Sequence, residues 1–121
     1  MTGAERERTP TWELFVRAAL ALGLVGGFGL GGALFLAVVL HLPVGAWWAA
    51  AAQAHGQAQL LGWAGLTVVG VALHFLPRLR GATPTEMTVA RPALGLLVAG
   101  MLLRLACQPL LAAPLDGRAL L

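Results

Sequence analysis

Hydrophobic positions fall into three long runs along the 121-residue chain, at about 14–42, 55–76 and 92–113, parted by breaks that carry proline, tryptophan or arginine. None of the runs alternates apolar and polar residues as a half-buried strand would, and each is long for a buried soluble helix. His55 to Leu76 is 22 residues, which at about 1.5 Å per residue covers roughly the 30 Å of a bilayer's hydrocarbon core. The pattern predicts an all-α fold, an integral membrane three-helix bundle with antiparallel neighbours.

The segments between and beside the runs complete the division. Residues 1–13, MTGAERERTPTWE, mix both charges with Thr-Pro and read as a cytoplasmic N-terminal tail. The run behind them is too long for the apolar core of a signal peptide. His41-Leu-Pro43 ends the first span, because proline disfavours helix in the residue before it. Residues 44–54, VGAWWAAAAQA, hold the adjacent Trp47 and Trp48 without any charge. Such a segment is expected to lie along the membrane surface as an interfacial anchor. Arg78–Arg91, with Gly81 and Pro84, reads as a loop, and 114–121 as a short C-terminal tail.

Composition agrees with the pattern. The chain is 59% hydrophobic and only 11% charged, with a mean hydropathy of +0.81, where a soluble domain carries about a quarter charged residues. All eight basic residues are arginines. Arg6, Arg8 and Arg17 flank the first span and Arg78, Arg80 and Arg91 flank the second loop, while the first loop has no charge. The positive-inside rule then puts the N-terminus and second loop in the cytoplasm and the C-terminus outside. Arginines placed this way report topology, so nucleic acid is not an expected partner; the lipid bilayer is. Cys107 is the single cysteine, which excludes an internal disulfide and a cysteine-based cluster within one chain.

Four residues carry candidate chemistry. His55 opens the second span, with Gln59 one turn deeper on the same face and Gly62 below it. A small residue two turns from a histidine leaves room for a flat macrocycle against the helix, and histidine is a common axial ligand of haem iron. A histidine bonded to water or a carbonyl is the plainer alternative. His41 closes the first span at a similar depth, so the two histidines are candidates to ligate one metal or iron. His74 stands a bilayer away from His55 and cannot join them. Arg104 lies inside the third span, about level with Trp63, in a chain with no acid in any span. Leaving it bare costs at least about 2.5–3.5 kcal/mol on insertion scales. Gln59, a backbone carbonyl, or an anion from outside the chain such as a haem propionate would each serve as its partner, and snorkelling to the interface is the alternative.

His55, Gly62, Trp63, Gly70, Pro77 and Gly81 fall without gaps on a pattern that resembles the second helix of NnrS-type membrane proteins: His-x-His-x4-Gly-aromatic, then Gly-x6-Pro-x3-Gly. Leu103-Arg104-Leu105-Ala106 is similar to a Gly-Arg-Leu-Ala run late in that family's third helix. Members are haem- and copper-containing proteins of bacterial nitric oxide metabolism, more distantly similar to the catalytic subunit of haem–copper oxidases. The resemblance covers roughly 14–110 and implies an inner-membrane, multi-pass protein of a bacterium, with His55 as axial ligand of haem b, or copper as the metal. Two departures stand out. Gln57 occupies the position of the family's second histidine, and the family's proteins carry many more helices than the three spans read here.

Two functions of different classes are consistent with these residues. One is a small membrane protein binding haem or copper at the outer side through His55, His41, Gln59 and Arg104, alone or as part of a site in an oligomer. The other is a cofactor-free packing or assembly subunit of a larger membrane complex. Its working parts would be the tryptophans and the face formed by Gly23, Gly27 and Gly31, which repeat every fourth residue and admit a close neighbour helix from this chain or another. A transporter or channel subunit is a third reading, without the acidic relay residues or broken-helix pair that class uses. No nucleophile–base pair or carboxylate pair lies in the spans, so catalysis by this chain alone is not expected.

Overall fold

The computed structural model describes residues 9–81 and 89–112. Three long helices carry the fold: α1, Thr11–Val39; α2, Ala46–Leu79; and α3, Ala90–Ala112. Each is long and apolar enough to cross a membrane by length and composition. Among the described residues there is no strand, as the absence of alternation implies. Residues 1–8, the loop stretch 82–88 and the tail from 113 lie outside the described residues.

The helix boundaries differ from the hydrophobic runs for local reasons. α1 begins at Thr11 rather than Leu14. Pro10 precedes the helix with φ −56° and ψ 143°, and its carbonyl accepts the amides of Glu13 and Leu14. Glu13 sits in the first turn, where a carboxylate opposes the positive end of the helix dipole, and pairs with Arg17 one turn on. α1 ends at Val39, short of His41. The amide of Leu42 bonds the carbonyl of Ala37 at 2.9 Å and that of His41 bonds Val38 at 3.1 Å, with His41 at φ +54°. This is a Schellman termination with histidine in the left-handed position that glycine fills most cheaply. Gly81 takes the corresponding position after α2, at φ +64°. His41→Gly is therefore expected to stabilise the protein by about 0.5–1 kcal/mol, read as a higher unfolding midpoint. A lower midpoint would mean that the imidazole does more than end a helix.

The segment from Ala46 is not a separate element but the first part of α2. Gly45 is extended, and the alanine-rich run from Ala46 to Gln57 is helical and continuous with the remainder of α2. No residue in that run breaks a helix, and each turn added satisfies amides that a separate surface helix would leave open. Trp47 donates from Nε1 to the carbonyl of Pro43 at 3.3 Å, and Trp48 from Nε1 to that of Leu34 on α1 at 3.4 Å. The tryptophans thus fasten the α1–α2 connection. Pro77 and Pro109 both stand in the last turn of their helices, where α2 and α3 run on for a few residues beyond them.

The helices run antiparallel in succession. Gly31, Gly27 and Gly23 of α1 meet His55, Gln59 and Trp63 of α2, and Gly70 meets Trp12 and Val16. At one end of the bundle Phe15, Ala19 and Leu22 of α1, Leu66 of α2 and Leu94 of α3 form the buried core. There the side chain of Arg91 donates to Thr11 Oγ1 at 3.1 Å and to the carbonyl of Thr9 at 2.8 Å, which ties the start of α3 to the start of α1. The middle of each of the first two helices widens into π turns, at Gly23–Gly29 and Ala58–Gly65.

Candidate functional site

The chemistry-bearing residues of α2 point into α1. A Cβ built on Gly31 would stand 2.8 Å from His55 Cε1, one on Gly27 2.8 Å from Gln59 Nε2, and one on Gly23 3.0 Å from Trp63 Cδ1. Three glycines four apart thus receive three large side chains four apart on the facing helix. The match arises from the helical period: each residue four further on returns to the same stripe, and two antiparallel stripes mesh rung by rung. The close-approach face read from the sequence is filled from within this chain.

His55 makes the one polar bond of the ladder. Its Nδ1 lies 3.0 Å from the carbonyl oxygen of Gly27 and 3.3 Å from that of Gly26. Carbonyl oxygens only accept, so Nδ1 carries the hydrogen. The π turn explains why an acceptor is on offer. Where the π turn gives way to α-helix at Leu30, successive backbone amides take the carbonyls of Val25 and Gly27, and between them stands the carbonyl of Gly26, which the imidazole of α2 meets at 3.3 Å. In a neutral ring with the hydrogen on Nδ1, the lone pair is on Nε2. Gln59, the next rung, is spent differently. Its Oε1 is buried without a hydrogen-bond partner among the described residues.

His41 and Arg104 lie elsewhere. His41 is exposed and ten residues beyond Gly31, the residue His55 packs on, so the two imidazoles are separated by about 15 Å along the axis of α1. Arg104 is exposed on α3 and donates from Nε to Gln108 Oε1 at 2.8 Å; Gln108 Nε2 in turn donates to Gln53 Oε1 on α2 at 3.0 Å. Its partner is therefore Gln108 and not Gln59, which faces the other helix. The register also differs from the depth expected of the sequence. A Cβ on Gly62 would meet Met101 Cε at 2.9 Å, and Gln108 meets Gln53, so Arg104 stands beside Gln57 and Ala58, above Trp63. At the opposite end of the bundle His74 packs edge-on against Trp12, ring centroids 4.5 Å apart, with its Nδ1 buried and unbonded among the described residues.

No known protein family, curated protein or solved structure matches the chain.

Gln53 and Gln108, which the sequence did not single out, are the polar side chains joined to Arg104. Gln108 is one turn from Arg104, a spacing that signals a side-chain pair. Gln53 has no such signal, because only the packing of α2 on α3 brings it there. For haem or copper the donors present fit in part. His55 Nε2 is a competent ligand atom held in orientation by a backbone carbonyl, as hydrogen bonds to the far ring nitrogen hold metal-bound histidines. The rest of the set does not assemble in one chain. His41 is too far, Gln57 stands where a second histidine would, and no group of three or more His, Cys, Asp or Glu side chains forms among the described residues. Among the described residues the chain brings a single imidazole to this position.

Proposed function

We propose that the chain is a three-span membrane subunit that works by helix packing, a pre-assembled α1–α2 pair that presents α3 to a partner within a larger membrane complex or to a second copy. The carrying observation is the ladder: His55, Gln59 and Trp63, the residues best suited to hold a ligand, are spent against Gly31, Gly27 and Gly23. The exposure of α3 supports the reading, since Leu94 is its one buried residue among those described. The arginine distribution supports insertion with the N-terminus and second loop in the cytoplasm. On this reading the chain is not a catalyst.

A second reading has its own observation. The Nδ1 bond to the Gly27 carbonyl leaves Nε2 of His55 as a lone-pair donor, so an oligomer that brings a further ligand from another chain would complete a haem or copper centre. The absorption spectrum of the protein purified from membranes separates the two. The packing reading expects no Soret band, and a mass by native mass spectrometry above that of one chain. A Soret band that shifts on reduction and disappears in His55→Ala would replace it with the cofactor reading.

A further inference from the structure

We propose that the cleft between α2 and α3, where Arg104, Gln108 and Gln53 form a hydrogen-bonded chain, binds the phosphodiester of an anionic phospholipid. The inference rests on the membrane-spanning reading and goes beyond it by assigning a ligand to a side-chain cluster.

Helical side chains lean toward the N-terminus of their helix. Arg104 is drawn the other way, toward the end of α3, by the bond from Nε to Gln108 one turn on, and Gln108 is held in turn by Gln53. The guanidinium is thereby oriented through Nε alone. Its two Nη groups, with four N–H donors, have no partner among the described residues. The only carboxylate among the described residues, Glu13, pairs with Arg17 at the opposite end of the bundle. The guanidinium borders an open groove of about 520 Å³ lined by Ala50, Gln108, Leu111 and Ala112. Apart from Gln108 its walls are small or apolar, and Leu111 is 85% exposed.

Depth favours a lipid over a protein acid. Arg104 is eight residues from the last residue of α3, about 12 Å along the axis, and an arginine stem directed toward that end carries its charge about 6 Å closer to the interface. That is where the glycerol and phosphate of a lipid lie, with acyl chains running down the same apolar wall. The two non-bridging oxygens of a phosphodiester match a pair of Nη donors. A lipid without its own cation leaves the full charge complementarity to the arginine, so phosphatidylglycerol is preferred to phosphatidylcholine.

The test is native mass spectrometry of the full chain released from nanodiscs containing phosphatidylglycerol and phosphatidylcholine. The wild type is expected to retain phosphatidylglycerol selectively, and Arg104→Gln to weaken retention by about tenfold, the loss of one charge-assisted contact. Gln108→Ala should weaken it less, through loss of orientation. Arg78→Gln, at the other end of α2, should leave it unchanged. Equal retention by Arg104→Gln overturns the assignment, and so does displacement of the lipid by millimolar inorganic phosphate, which would mark a free-anion site. A change of oligomeric state in Arg104→Gln with lipid retention unaltered would assign the arginine to a partner's carboxylate and also overturns it. Failure of the chain to enter nanodiscs at all would instead overturn the spanning reading.

Discussion

Gly26→Ala is expected to cost about 2–3 kcal/mol, as overpacking of a close helix contact does. The added Cβ would stand 2.8 Å from Ala58 Cβ and 2.9 Å from Leu105 Cδ1. Leu105 can rotate away. Ala58 cannot, because its Cβ is fixed to the backbone of α2 and the residue is fully buried. Relief must come from moving α1 off α2, which loosens the contacts of the neighbouring rungs. Helix propensity argues the opposite sign, since alanine is favoured over glycine by about 0.8–1 kcal/mol inside a helix. Gly32 isolates that contribution: nothing lies within 4 Å of a Cβ there, so Gly32→Ala should stabilise by about 0.5–1 kcal/mol. Unfolding midpoints in one detergent compare the two, and Ala58→Gly in the Gly26→Ala background should restore most of the loss. Equal midpoints for Gly26→Ala and Gly32→Ala would mean that the helices do not meet at this crossing.

His55→Ala should also destabilise, by about 1–3 kcal/mol, because it takes the imidazole donor from the Gly26 carbonyl in apolar surroundings and from that of Gly27, which keeps a backbone amide. The adjacent rung gives the contrast. Gln59 has no bond at its buried Oε1, so burial of that oxygen is a standing cost and Gln59→Leu is expected to be neutral or stabilising by up to about 1 kcal/mol. Both variants change a side chain of similar place and depth, and only one loses a hydrogen bond. A destabilised Gln59→Leu with an unaffected His55→Ala would reverse the roles assigned to the two rungs.

Much of the architecture is legible in the residues themselves. Three apolar runs without alternation specify three helices, because period and hydropathy are local properties of the chain. The Gly23, Gly27 and Gly31 stripe is legible as a close-approach face for the same reason: the 3.6-residue turn places every fourth residue on one side. Pro43 and Gly81 mark where helices end through restrictions on their own backbone or that of the residue beside them. The start of α2 reads as a separate surface element because paired tryptophans have the same composition at a membrane interface as in the first turns of a helix. The unbroken helix from Ala46 to Leu79 makes it part of α2, and the hydrogen bonds of the tryptophans to Pro43 and Leu34 fasten it to the connection with α1.

The pairing of side chains is not legible in this way. That a histidine, a glutamine and a tryptophan share a face of α2 can be read from their spacing. That each lands on a glycine of α1 cannot, since it depends on the offset between two helices joined by a turn. Spacing likewise places Arg104 in an apolar span without an acid, but its partners are Gln108, one turn along, and, through Gln108, Gln53 on the neighbouring helix. Nor does the chain's pattern reveal the π turn that takes the Gly26 carbonyl out of the ladder and leaves it facing His55. Helix type and apolar faces are set by neighbours in sequence; which polar atom finds which partner is set by helix register, and register is a property of the packed bundle.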